Sequence, residues 1–96
     1  MTEAQLLEQV TELAKWLGLL VYHTRDSRRS QPGFPDLILA GRRGVIFAEL
    51  KSATGQLSSH QHAWKWTLLA SGQDWRLYQP ADWESGLIYA ELRAIA

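Results

Sequence analysis

The sequence predicts an α/β or α+β domain in which a sheet of about four strands is flanked by helices. Three observations carry this expectation. Leu6, Val10, Leu13, Ala14 and Leu17 recur at helical spacing near the N-terminus. Four short apolar runs have strand length and end at glycine, proline or charged residues. A second helical segment separates the third run from the fourth, so the order is α-β-β-β-α-β with a further helix at the C-terminus.

Residues 2–17 form the first predicted helix, with Gly18 as its stop. "LLVYHT", residues 19–24, is apolar with β-branched and aromatic members and reads as a strand. Residues 26–35 are rich in Ser, Arg, Pro and Gly and read as a loop. "LILA" (37–40) and "VIFAELK" (45–51) are two strands joined by the turn "GRRG". Residues 58–71 are a helix closed by Gly72, and "WRLYQ" (75–79) is a strand that Pro80 ends. Asp82 is placed as the cap of a last helix carrying Ile88, Leu92 and Ile95, although Gly86 argues for a start only after it.

Ninety-six residues with 46% apolar content and five tryptophans imply one folded domain spanning residues 1–96. No run approaches the roughly 20 apolar residues of a membrane helix, so no membrane partner is expected. "MTEAQLLEQV" carries acids where a signal peptide has a basic flank, which makes the expected location cytoplasmic. The absence of cysteine excludes disulfides and thiolate metal sites. Ten basic and ten acidic residues give zero net charge, which argues against a strongly electrostatic nucleic-acid binder but leaves room for a locally basic site.

The hairpin holds the chemistry. With Gly41 opposite Gly44, antiparallel pairing sets Leu37 against Ala48 and Asp36 against Glu49. Lys51, two residues on, shares the face of Glu49. Two adjacent carboxylates repel unless one keeps its proton or a cation lies between them. A hard divalent ion suits such an oxygen pair. On spacing alone, a salt bridge of Lys51 with either acid at a solvated strand end is the plainer reading.

Pro35-Asp36 and Glu49-Leu50-Lys51 resemble the motif of the PD-(D/E)XK nuclease superfamily. The wider string "YHTRDSRRSQPGFPDLIL…FAELKSATGQLSSHQ" resembles the VRR-NUC family, including its small stand-alone members of phage type. The resemblance spans residues 2–83. It implies an α/β nuclease core with a mixed sheet, Asp36 and Glu49 as metal ligands with the Leu50 carbonyl as a further one, and Lys51 as the catalytic lysine. It also implies catalytic roles for Gln61, in the place of the family's helix glutamine, and for Glu3, in the place of its N-terminal helix acid. The residues themselves leave both roles open. Ser58-x-x-Gln61 is a capping box, and Glu3 favours the positive end of the helix dipole. Yet Glu3 also falls within the Leu6/Val10/Ala14 stripe, where a carboxylate needs a partner.

Arg25, Arg28 and Arg29 are candidate phosphate contacts or a solvated loop. His60 and His62 diverge on a helix and, with His23, make no zinc site. Trp64, Trp66 and Trp75 read as packing residues. The expected function is a Mg2+- or Mn2+-dependent endonuclease acting on DNA, with branched DNA or Holliday junctions preferred and a homodimer as the working unit. Ile88, Leu92 and Ile95 are offered either as the dimer surface or as core. The alternatives are a catalytically weak nucleic-acid-binding module and a subunit of a larger nuclease complex.

Overall fold

The pattern of apolar runs becomes a four-stranded sheet with most of its helices on one face. The computed structural model describes residues 1–25 and 30–96. In chain order the elements are α1 (Glu3–Trp16), β1 (Leu20–His23), β2 (Leu37–Gly41), β3 (Gly44–Leu50), α2 (Ser59–Ala70), β4 (Asp74–Tyr78), α3 (Pro80–Glu84) and α4 (Leu87–Ile95). The sheet order is β1-β2-β3-β4, with β1/β2 and β2/β3 antiparallel and β3/β4 parallel. The sheet is therefore mixed, and α2 is the crossover that a parallel pair requires.

Alternation along the strands sorts the side chains to two faces. Leu37, Leu39, Ile46, Ala48, Leu50 and Tyr78 face a core completed by Leu6, Val10 and Ala14 of α1 and by Ile88, Leu92 and Ile95 of α4. The α4 residues are buried, which settles their two readings in favour of the core and removes them as a dimer surface. Tyr78 donates its buried hydroxyl to Glu91 Oε1 at 2.6 Å, tying α4 to the sheet. Burial first, and then this bond, raise the Tyr78 pKa and keep the phenol protonated. On the opposite face lie α2, which has no fully buried side chain of its own, and Phe34, packed edge-on against Phe47. Leu20, Tyr22 and Trp66 are largely exposed, so the packing role expected for the tryptophans holds for Trp75 and Trp64 but not for Trp66.

The predicted hairpin register is observed from Gly41↔Gly44 to Leu37↔Ala48. Elsewhere the boundaries shift for identifiable reasons. Thr2 and Gln5 form a capping box, so Thr2 precedes α1 as its N-cap. Asp82 does not cap the last helix. It lies inside α3 and accepts from the Gln79 N–H at 2.8 Å, while Pro80 occupies the first turn, where a missing N–H costs nothing. Gly86, at φ +84°, separates α3 from α4. No helix among the described residues is long and apolar enough to cross a membrane.

Leu39 sits at the centre of the sheet and is fully buried, whereas Leu20 is 77% exposed. Urea denaturation is expected to show Leu39→Ala losing about 2–5 kcal/mol and Leu20→Ala changing by about 0.5 kcal/mol or less. Equal losses would contradict this division of the sheet into a packed and an open face.

Candidate active site at the ends of β2 and β3

Proline has no N–H to give a ladder, and Pro35 stands one residue before Asp36. The β2/β3 pairing stops at Leu37↔Ala48, so Asp36 lies in a bend and is not the in-ladder partner of Glu49 that strict extrapolation predicts. The bend still delivers its carboxylate. Asp36 Oδ2 accepts from the Leu50 N–H at 2.8 Å, replacing a ladder bond with a side-chain bond. β3 runs on past this point because its other edge pairs with β4 to Leu50↔Tyr78, and the Lys51 N–H donates to the Tyr78 carbonyl at 3.1 Å.

The segment entering β2 is pinned on two sides. Thr24 donates its N–H to the Asp36 carbonyl and its hydroxyl to the Pro35 carbonyl, both at 2.9 Å. Trp64 of α2 donates its indole N–H to the Pro32 carbonyl at 3.0 Å, and Phe34 packs edge-on against Trp64 with centroids 4.9 Å apart. Gly33, at φ +91°, lies so close to α2 that a Cβ would collide with the His60 carbonyl and the Gln61 nitrogen.

This contact sets Gln61 beside the acids. The Gln61 side chain does two things at once. Its Oε1 accepts from the Ser58 N–H at 2.9 Å, completing the capping box, while its Nε2 donates to Glu49 Oε1 at 3.0 Å. One amide therefore makes both the capping bond and a contact to Glu49.

Glu49 is the one buried charged residue among those described, at 2% exposure. Burial, then its hydrogen bond to Asp36 and the Asp36 charge, push its carboxyl from 4.5 up to about 9, with a smaller contribution from Glu3. Lys51 opposes this shift by its charge but forms no ion pair with Asp36 or Glu49. The solvated salt bridge that spacing alone allowed is thus replaced by a buried Glu49 carboxyl held against Asp36.

Beside the pair is a cavity of about 200 Å3 lined by Glu3, Ala4, Leu7, His23, Asp36 and Leu50. It brings Glu3 to the site from the first turn of α1. His23 joins it from β1, a placement that the sequence reading missed by weighing histidines only as zinc ligands. Val21 and His23 alternate onto the α1 side because β1 pairs with β2 in this register, which the local sequence does not display. His60 and His62 are exposed at the start of α2, and Arg25 is exposed after β1. Arg28 and Arg29 lie outside the described residues.

The donor set is all oxygen. No group of three His, Cys, Asp or Glu among the described residues is arranged to hold a metal ion. Two carboxylates do fit Mg2+ or Mn2+, since Mg2+ binds through one or two protein carboxylates and keeps several waters. The repulsion that raises the Glu49 pKa beside Asp36 is the kind a cation would relieve.

Solved structures that share this fold include two VRR_NUC domains. One, named "VRR_NUC domain", superposes with a TM-score of 0.75 at 24% identity, covering 93% of this chain and 97% of its own. Another, named "VRR_NUC domain protein", has a TM-score of 0.62 at 18% identity, covering 96% and 90%. No family model matches the chain, and the search of curated proteins gave no match. The chain therefore has the fold of those VRR_NUC domains, with a mixed four-stranded sheet flanked by helices.

Because folded Glu49 holds a proton that the unfolded chain releases near pH 4.5, its contribution to stability is full below that pH and is lost as pH rises toward about 9. In EDTA, the thermal midpoint of the parent is expected to fall across this window. Glu49→Gln, which carries its amide without titrating, is expected to fall less and to exceed the parent at pH 8. Parallel pH profiles for the two proteins would refute the buried, protonated acid.

Proposed function

We propose that the chain is a divalent-metal-dependent endodeoxyribonuclease that hydrolyses phosphodiester bonds. The observation that carries this reading is the buried Glu49 carboxyl, paired with Asp36 and braced by Gln61 beside an open cavity. The shared fold with VRR_NUC domains supports it. Asp36 and Glu49, with the Leu50 carbonyl, would hold Mg2+ or Mn2+. The ion would polarise the phosphate and lower the pKa of attacking water.

The protein's own groups do the rest. The Leu50 N–H holds Asp36 and the Gln61 amide holds Glu49, so both carboxylates are oriented before substrate arrives. Lys51, on the strand end after Glu49, places a positive charge where negative charge develops on the phosphate. Glu3 adds negative charge across the cavity, which strengthens the demand for a cation. Arg25 is assigned to phosphate contact, and Arg28 and Arg29 carry the same assignment from the sequence.

We assign branched DNA as substrate and a homodimer as the working unit. A neutral chain of 96 residues has little charge for nonspecific affinity, and two symmetric copies double the contact area. Their pairing surface is not the buried face of α4.

Supercoiled plasmid, single-stranded DNA and four-way junctions, each with Mg2+, Mn2+ or EDTA, test the activity. Asp36→Asn and Glu49→Gln are expected to abolish cleavage, with divalent-ion binding lost in calorimetry. Undiminished cleavage by Glu49→Gln would sink the site assignment. Lys51→Ala is expected to keep ion binding, since an ammonium is not a ligand, and to cleave about a hundredfold or more slowly. Cleavage at the parent rate would leave Lys51 with a structural role only. Light scattering at micromolar concentration tests the dimer, and a strict monomer that cuts junction and linear duplex alike would remove the proposals of pairing and shape selection.

A further inference from the structure

A second cleft opens on the edge of the sheet. It has a volume of about 620 Å3 and is lined by Thr11 and Lys15 of α1, Val21, Tyr22 and His23 of β1, and Arg25. His23 also lines the acid cavity, so the two spaces share a wall. We propose that this cleft binds the backbone of a single DNA strand leading away from the acid site, with Tyr22 stacking on an unpaired base.

Three features support this assignment. The first is charge. Among the described residues, Lys15 and Arg25 line the cleft and no carboxylate does, in a chain of zero net charge. A local cationic groove in a neutral protein concentrates a polyanion at one place. Lys15 also sits in the last turn of α1, where a cation favours the helix dipole, but that role does not require a cleft with a second cation in it.

The second is the backbone. β1 is an edge strand, and the Thr24 N–H donates to the Asp36 carbonyl. Antiparallel ladders alternate, so Leu20 and Tyr22 turn their polar groups toward β2 while Val21 and His23 turn theirs outward. Outward N–H groups on a cleft wall are donors for phosphate oxygens.

The third is Tyr22. It is 61% exposed and lines both this cleft and the space by Phe34 and Trp64 across the β1 edge. A cationic groove combined with an aromatic platform is the pattern that holds single strands without reading sequence. A paired base keeps its faces within the duplex, so the ring selects for an unpaired strand, such as one at a junction or flap. The choice of ligand rests on the nuclease reading above.

Fluorescence anisotropy in EDTA, with a labelled oligothymidylate of about twelve nucleotides and a blunt duplex of equal length, tests the cleft while no strand is cut. The double variant Lys15→Gln/Arg25→Gln is expected to bind the single strand about tenfold or more weakly, with the slope of log affinity against log salt reduced by about 1.4, or about 0.7 for each of two phosphates. Tyr22→Leu is expected to weaken single-strand binding about fivefold or more and to leave duplex binding unchanged. Arg42→Gln/Arg43→Gln, at the other end of the hairpin, is the control and should bind as the parent does. Circular dichroism confirms that each variant is folded. If the cleft variants bind the single strand like the parent, or the control loses as much, the cleft assignment is wrong. Mg2+-dependent plasmid cleavage by the parent, measured in parallel, separates the two proposals. Cleavage with unaffected cleft variants overturns the cleft alone, whereas a parent that neither binds nor cuts overturns both.

Discussion

A carboxyl group at 2% exposure governs how this end of the molecule is built. Burying a charge without compensation costs several kcal/mol, so a buried acid must keep its proton, find donors or accept a cation. Glu49 does the first two at once, through Asp36 and through the amide of Gln61. Each partner in turn needs a fixed position. The Leu50 N–H holds Asp36, and the capping box of α2 holds Gln61. The surroundings are thus a chain of supports for one side chain. They include a proline that ends the ladder, a bend that frees an acid, and a glycine that lets the incoming segment touch α2.

The distribution of packing follows the same logic. The face carrying Leu37, Leu39, Ile46 and Ala48 is sealed by α1 and α4 and supplies most of the hydrophobic stabilisation. The opposite face is covered by α2 and Phe34, and Leu20, Tyr22 and Trp66 are open to solvent. Stability comes from the sealed face, whereas the candidate site gathers at the strand ends, where α1 and α2 both reach it. The sealed face can be rigid, while the strand ends and the β1 edge remain reachable.

Much of this was legible in the sequence, and the parts that were not have physical reasons. The hairpin register followed from Gly41 and Gly44 with alternating apolar residues, because a one-residue slip would expose the whole core face. Asp36 and Glu49 were brought together as expected, but their geometry was not readable, since it depends on a side chain taking a ladder hydrogen bond at Leu50. The two readings of Gln61 looked exclusive on paper because an amide was treated as one group, whereas its oxygen and nitrogen serve different partners. Asp82 was misplaced as a cap because Pro80, read as a strand terminator, also opens a short helix. His23 was passed over because its relevance arises from a pairing across β1 and β2 that no local pattern displays.

The double duty of Gln61 joins two processes that are usually separate. Helix nucleation is the unfavourable step in forming α2, and the reciprocal bonds between Ser58 and Gln61 offset part of its cost. The same glutamine shields the Glu49 carboxyl from water. Since α2 contributes no fully buried side chain, little else anchors its first turn beyond Trp64 and the close approach at Gly33. Fraying of that turn and hydration of the acid are therefore one event, and the cooperativity of the helix is written into the solvation of the site.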